Sequence, residues 1–279
     1  MFKTVGKEVW SVDAEWVPDP ESGRRAFGLP ASMSDDEVVA HMYEEGGATE
    51  EEPRPYLRTA LCRVVSIAAF IRRKEDGGRV SFELKSIPDL GEGAVPEGDL
   101  LKRFLDAVGS EKPQLVGYNL FGADLNIFAQ RSLVNGIAIP EFCERPDKPW
   151  LGVDYFMRGG EAVIDLMQIF GGWPRAGLHV LATSAGIPGK LDTAGDEVFS
   201  LWREGKVDAI VEYNRCDVLT TYLLWLRAAH MAGFVSTEAF EREREQFESH
   251  LVEAIGAGKS YLSRFRDEWS RLRSSMRTG

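Results

Sequence analysis

Val211-Glu-Tyr-Asn-Arg-Cys-Asp-Val-Leu219 lies inside a run from Val207 to Met231 whose apolar residues recur at helical spacing. Ile210, Val211, Val218, Leu219, Tyr222, Leu223 and Leu226 form one stripe, so the spacing predicts a long helix with a buried face. Residues four apart stack one turn above another. The Tyr213 phenol and the Asp217 carboxylate therefore sit side by side at the border of that stripe. No other tyrosine in the chain has an aspartate four places on. Alone, the pair is as well explained by a tyrosine at the edge of a core. Its meaning depends on the segments upstream.

The first of these is Val9-Trp-Ser-Val-Asp-Ala-Glu-Trp-Val17, which reads as an early strand. Strand side chains alternate, so Asp13 and Glu15 leave one face about 7 Å apart along the backbone. Two carboxylates between Val9, Trp10, Val12 and Val17 are costly to bury unless a cation joins them. The Asp-X-Glu spacing recurs at Asp19/Glu21 and Asp35/Glu37, but there it follows a proline-bearing turn or opens a helix. The second segment is Gln114-Leu-Val-Gly-Tyr-Asn-Leu-Phe-Gly-Ala-Asp-Leu-Asn-Ile-Phe128. It reads as a short strand ending at Tyr118, then a helix starting near Gly122 with Asp124 in its first turn, where the positive helix end favours a carboxylate. Asn119, at the turn, suits a cap or a contact to a neighbouring group.

Between and around these segments the pattern is strand-rich first and alternating later. The first strand is followed by a polar excursion from Pro18 to Pro55, in which Ser34-Asp-Asp-Glu37 is a capping box opening a short helix. Strands are expected at Leu61–Ile71 and Arg79–Ile87, joined by a turn at Asp76-Gly-Gly. Helices are expected at 100–108, 178–185 and 196–204. After Phe234 two amphipathic helices follow, separated by Gly256 and Gly258. Asp165 ends a further apolar strand and reads as a structural or supporting carboxylate. His179 reads as a helix-surface residue, with no second histidine or cysteine at zinc-ligand spacing.

Composition bounds the class. The 279 residues are 44% hydrophobic and 28% charged, ordinary for a globular protein. Cys62, Cys143 and Cys216 are odd in number and dispersed, which implies no disulfide framework and fits a reducing compartment. The first eight residues carry no apolar signal core, and no run reaches membrane-spanning length, so a cytoplasmic location is expected. The net charge of −11 excludes a broadly basic nucleic-acid binder. The acidity is concentrated in residues 1–60, with 13 acidic and 6 basic residues, whereas 259–279 hold 6 basic and 2 acidic. That tail reads equally as a strand-guiding surface or a solvated helix.

Taken in order, Asp13 and Glu15, then Asn119 to Asp124, then Tyr213 to Asp217 resemble the tyrosine subclass of the DEDD superfamily of 3′–5′ exonucleases. The closest likeness is to the predicted exonuclease family related to the proofreading domain of family-B DNA polymerases. Leu201-Trp-Arg-Glu-Gly-Lys-Val-Asp-Ala-Ile-Val-Glu-Tyr-Asn-Arg-Cys-Asp217 looks like that family's signature. Gly186-Ile-Pro-Gly-Lys190 and Trp16-Val-Pro-Asp19 are similar to its pattern as well. The resemblance spans about Glu8 to Phe234. Trp16 stands where that family usually has Thr or Ser, and Leu120 and Ala123 replace its usual Asn-Gly and Phe. These departures bear on contacts to the terminal nucleotide rather than on the acids.

The resemblance implies an α/β, ribonuclease H-like mixed sheet flanked by helices (residues 1–234, with the acidic insertion 18–56) and a helical C-terminal extension (235–279). It implies phosphodiester hydrolysis with two Mg²⁺ or Mn²⁺ ions, hard cations that take oxygen ligands. Asp13 would bridge both ions, Glu15 and Asp217 would complete one and Asp124 would hold the other. Tyr213 would orient the attacking water, because a phenol of pKa near 10 is a poor base. Trp16, Asn119 and Lys190 are the candidate substrate contacts. The expected partner is the 3′ end of a single strand, DNA before RNA, with the insertion or tail helices available to a protein partner. A same-superfamily exoribonuclease, or a binding module with a vestigial site, are the alternatives.

Overall fold

Apolar residues on both faces of the first strand suit it to the middle of the sheet. The computed structural model describes residues 2–75, 77–148, 150–191 and 197–277. Strand β1 runs Glu8–Pro18. Trp10, Val12 and Ala14 enter one core, and Val9 and Val17 face the other side. Both faces are thus covered, which is why the strand is apolar nearly throughout. β2 (Cys62–Lys74) pairs antiparallel along the whole of β1, and β3 (Val80–Ile87) pairs antiparallel to β2. On the other side β4 (Gln114–Gly117) and β5 (Val163–Asp165) run parallel. The order is β3-β2-β1-β4-β5. This is the expected α/β architecture, a mixed sheet of the ribonuclease H-like kind.

On one face, helices α2 (Asp35–Glu45), α3 (Glu97–Glu111) and α4 (Asp124–Val134) close over Trp10, Val12 and Ala14. Against the other lies the long helix α9 (Val207–Met231), followed by α10 (Thr237–Gly256) and α11 (Leu262–Arg277), which share its core. Phe70 of β2 meets Tyr222 of α9 and Phe247 of α10 at ring centroid separations of 4.8 and 5.5 Å. Beside them buried Arg72 donates to both oxygens of Glu243 at 2.9 Å, and the Tyr222 hydroxyl donates to Glu243 at 2.8 Å. Every charged group in this contact is paired, as burial requires. No helix among the described residues is long and apolar enough to cross a membrane.

The capping box at Ser34 and Glu37 forms as expected. The excursion holds one more helix than its pattern suggests, α1 (Pro20–Phe27). Its sequence lacks an apolar stripe; Pro20 pre-sets its first turn, and Gly23 lets it press on α2. A Cβ at Gly23 would meet the Met42 sulfur at 2.6 Å. The helix of the second motif starts at Asp124 rather than Gly122, and α3 extends beyond 100–108 at both ends. The expected Asp76 turn residue and Asp196 helix start lie outside the described residues. Short helices α5 (Pro140–Cys143), α6 (Leu166–Phe170), α7 (Leu178–Ser184) and α8 (Val198–Arg203) complete the chain.

Arg131 of α4 locks the excursion to the domain. Its buried guanidinium reaches Asp19 at 2.8 Å, Glu97 at 2.6 and 2.8 Å, and Ser22 at 2.8 Å. Glu97 also accepts from the Val64 amide at 2.7 Å, so α1, α3, α4 and β2 meet at one cation. Removing one partner of a buried pair strands the others without water. Arg131→Ala is expected to cost about 3–5 kcal/mol in urea unfolding. Lys102→Ala, which breaks the exposed pair to Asp106, is expected to cost under about 1 kcal/mol in the same measurement.

Candidate metal centre

β1 outruns its parallel neighbour. Its pairing with β4 stops at Ser11 opposite Val116, leaving the strand edge open beyond that point. There the Ala14 amide donates to the Asp124 carboxylate at 3.1 Å, an acid supplied by the first residue of α4. The β4–α4 turn that carries Asp124 is held by Asp165 at the end of β5. That carboxylate accepts the amides of Asn119 (2.9 Å), Phe121 (3.1 Å), Met167 (3.0 Å) and Gln168 (3.3 Å). Asp165 is thus the supporting carboxylate the sequence suggests. Asn119 sits at φ 74°, a left-handed conformation that Asn tolerates. Its side chain lies over Gly122, where a Cβ would come 2.1 Å from Oδ1, so this turn needs glycine. Asn119 does not cap α4, whose N-cap residue is Ala123 with no side-chain cap.

Opposite the open edge, α9 brings Asp217 against the strand acids. Asp13, Glu15 and Asp217 each place an oxygen within 4.8 Å of the others. Asp124 stands beside this trio, close enough for its charge to act on Asp13 and Glu15. Tyr213 lies one helical turn before Asp217, near enough for that carboxylate to act on its hydroxyl. Lys190 reaches the rim, and its charge favours ionisation of Asp13, Glu15 and Asp217. Trp16 is half-buried at the end of the same strand, next to an irregularity in the β1–β2 register between Glu15 and Trp16. The two rival Asp-X-Glu copies have other duties. Asp19 is in the Arg131 clamp, Glu21 pairs with Arg24, and Asp35 and Glu37 open α2.

Residues 54–269 match the family described as predicted 3′-5′ exonucleases related to the exonuclease domain of PolB. The chain belongs to that family. No curated protein matches the chain significantly. The matched span takes in Asp124, Lys190, Tyr213 and Asp217, as well as α10 and half of α11. It begins after β1, so Asp13 and Glu15 join these residues through the sheet rather than through the match.

For an exonuclease-family site, the electrostatics are demanding. Burial, then the charges of Glu15, Asp124 and Asp217, hold the Asp13 carboxyl well above its ordinary range. Burial and the charges of Asp217 and Asp124 do the same to Glu15. Asp124 is pushed up to about 7 and Asp217 to about 6, both chiefly by burial. The Tyr213 hydroxyl is raised far above its usual value by burial and the neighbouring acids, so it stays protonated at neutral pH. Among the described residues Asp13, Glu15 and Asp217 form an all-oxygen trio, with the Asp124 carboxylate beside it. They fit hard divalent cations such as Mg²⁺ or Mn²⁺.

Two residues near the site were not singled out for it by their sequence. His179 is exposed, as a helix-surface residue should be, yet its Nδ1 accepts the Lys190 amide at 3.1 Å. Gly189 makes room for that ring, since a Cβ there would lie 2.3 Å from Nδ1; the glycine before Lys190 was the available hint. Tyr56, at the end of the polar excursion, gave none.

The raised carboxyls set the sign of a pH effect. The folded chain holds protons that the unfolded chain releases near pH 4, so the stability of metal-free protein falls as pH rises from about 4 to about 7. In EDTA, the Tm contribution of this site is expected to decrease over that window. Mn²⁺ at about 100 times its Kd should restore about 2.7 kcal/mol, and thermal shift should show a larger gain at neutral pH than at pH 5. Asp217→Asn is expected to raise the Tm of the metal-free protein and to remove most of the Mn²⁺ response.

Proposed function

We propose that this chain is a divalent-metal-dependent 3′–5′ exonuclease that removes nucleoside monophosphates from single-stranded DNA ends. The observation that carries the reading is the meeting of Asp13, Glu15 and Asp217 from a strand and a helix about 200 residues apart, with Tyr213 one turn before Asp217. Asp13, Glu15 and Asp217, with Asp124 beside them, would hold two divalent cations. Bound there, such cations supply the positive charge that steadies the attacking and leaving oxygens of an in-line displacement.

The chain's own groups do the rest. A water oxygen bonds to the terminal phosphorus, the bond from phosphorus to the O3′ of the preceding nucleotide breaks, and a proton passes to that O3′. Tyr213 is too weak an acid to serve as base at neutral pH, so its hydroxyl orients the water. Lys190 offsets part of the negative charge that a phosphate brings to an acidic cleft. The tail helices, which share the core of α9 and lie largely within the matched span, buttress the nuclease unit from behind. Free Cys62, Cys143 and Cys216 suit a reducing cytoplasm.

With 5′-labelled single-stranded DNA and Mn²⁺, a descending ladder of products is expected; EDTA or Asp13→Ala should abolish it. RNA of the same sequence run alongside reads the polymer preference. Tyr213→Phe is expected to lower kcat roughly 10–100-fold through a misplaced water, while its Mn²⁺ thermal shift stays near wild type. A full-rate Tyr213→Phe enzyme would refute the orienting role.

A further inference from the structure

The end of the sheet opposite the acids carries cations that the fold leaves unmatched. Lys7 directly precedes β1, and Lys74 ends β2. The Lys74 amide donates to the Lys7 carbonyl at 2.8 Å, which makes the two lysines cross-strand neighbours. Like charges set opposite each other in a sheet repel. Both side chains are exposed, and among the described residues neither forms an ion pair. Together they line a cleft of about 400 Å³. A second cleft of about 230 Å³ adjoins it, sharing Arg72, Lys74, Gly78, Phe234 and Val235. Arg242, exposed on α10, lines the second cleft and also lacks an ion pair among the described residues. Glu238, one turn earlier on that helix, feels its charge. The acids on these walls are committed elsewhere: Glu243 holds Arg72 and the Tyr222 hydroxyl, and Glu75 lies 3.7 Å from Arg79. Lys7, Lys74 and Arg242 remain as surplus charge. The N-terminus of α10 opens on the second cleft through Ser236 and Ala239, adding the positive end of a 20-residue helix. Phe234 stands between the two clefts, 44% exposed and stacked on Phe2 at a ring separation of 5.5 Å.

We infer that these joined clefts are a second nucleic-acid site, which grips the body of a single strand whose 3′ end lies at the acids. The inference rests on the exonuclease reading above. Six residues of β1 separate Lys7 from Asp13, about 20 Å, so the two sites engage different nucleotides of one strand. Affinity for phosphates is chiefly electrostatic. In a chain of net charge −11, unmatched cations are where that affinity can arise. Three cations around an exposed ring answer what a single strand presents in repeat, a phosphate and then a flat base. The ring decides for a strand over an acidic peptide, whose carboxylates carry no flat face. A free nucleotide presents the same groups once, whereas two joined clefts suit the repeat.

The test compares Lys74→Gln/Arg242→Gln with a control, Lys102→Gln/Arg103→Gln, which removes the same charge from exposed positions on α3. In EDTA, the anisotropy of a 5′-labelled strand of about 20 nucleotides should report affinity about tenfold lower in the first variant and changed less than about twofold in the control. The slope of log affinity against log salt should fall by about 1.4 in the first variant, as for two single-strand phosphate contacts. Phe234→Ala should weaken binding of that strand about tenfold, and of an abasic strand of the same length less than about twofold. With Mn²⁺, Lys74→Gln/Arg242→Gln should raise KM for the long strand about tenfold, and leave KM for a dinucleotide and both kcat values within about twofold of wild type. An unchanged Tm confirms that each variant folds. A wild type that does not bind the strand in EDTA overturns the inference, as do unaltered binding by Lys74→Gln/Arg242→Gln and an equal loss in the control. Displacement of the strand by polyglutamate, or by thymidine monophosphate, at equal charge concentration overturns it in favour of an acidic peptide or a free nucleotide. A wild type that cuts nothing fails the exonuclease reading alone, and the titration in EDTA then still decides whether the clefts bind a strand.

Discussion

Mutual repulsion among desolvated carboxylates is the constraint that the rest of this structure answers. Asp13, Glu15, Asp124 and Asp217 come from β1, α4 and α9, and each has its ionisation opposed by burial. An unsupported group of this kind would swing its acids apart into water. Here β1 is clamped between β2 and β4, and α9 is pinned by its apolar face. Asp124 is fixed by the Ala14 amide, and its turn by four amides converging on Asp165. The stability forgone at the site is supplied by the two hydrophobic layers on either side of the sheet.

How much of this was legible depended on whether a residue's role leaves a periodic trace. β1 and α9 announce themselves, because a strand buried on both faces and a helix with a continuous stripe each impose a repeat on the chain. The order of the acids then gave the fold and the neighbourhood of the site. Residues that act through loops left no such trace. Tyr56 follows a proline-rich polar segment and touches Trp16, forty positions earlier, only because α1 and α2 fold the excursion back. His179 supports Lys190 across a turn whose only sequence mark is a glycine. α1 was missed because Gly23 and Arg131, rather than an apolar stripe, hold it in place.

The net negative charge, awkward for a nucleic-acid enzyme, is distributed in a way that removes much of the difficulty. Several acids of the first sixty residues are already spent in pairs, as Asp19 with Arg131 and Asp35 with Arg24. Two more, Asp13 and Glu15, join Asp124 and Asp217 in the cluster, where bound cations would reverse the local sign. The basic tail is less free than its composition suggests. Arg271 pairs with Glu268, and Arg273 pairs with Glu248 while lying 4.3 Å over the Trp269 ring. These contacts favour a structural surface over a strand-guiding one.

Helix α4 couples the acid cluster to the excursion. Asp124 and Arg131 are seven residues apart, two turns on one face of that helix. Its first residue faces the acid cluster through the Ala14 amide, and Arg131 holds Asp19, Ser22 and Glu97. Asp19 follows directly on the last residue of β1, and Ser22 lies in α1, the helix that begins the excursion. The same rigid rod therefore sets where Asp124 stands and where the excursion departs. A shift of α4 along its axis would displace the acid and the path toward Tyr56 together. The acid cluster and the excursion are thus kept in register by one helix.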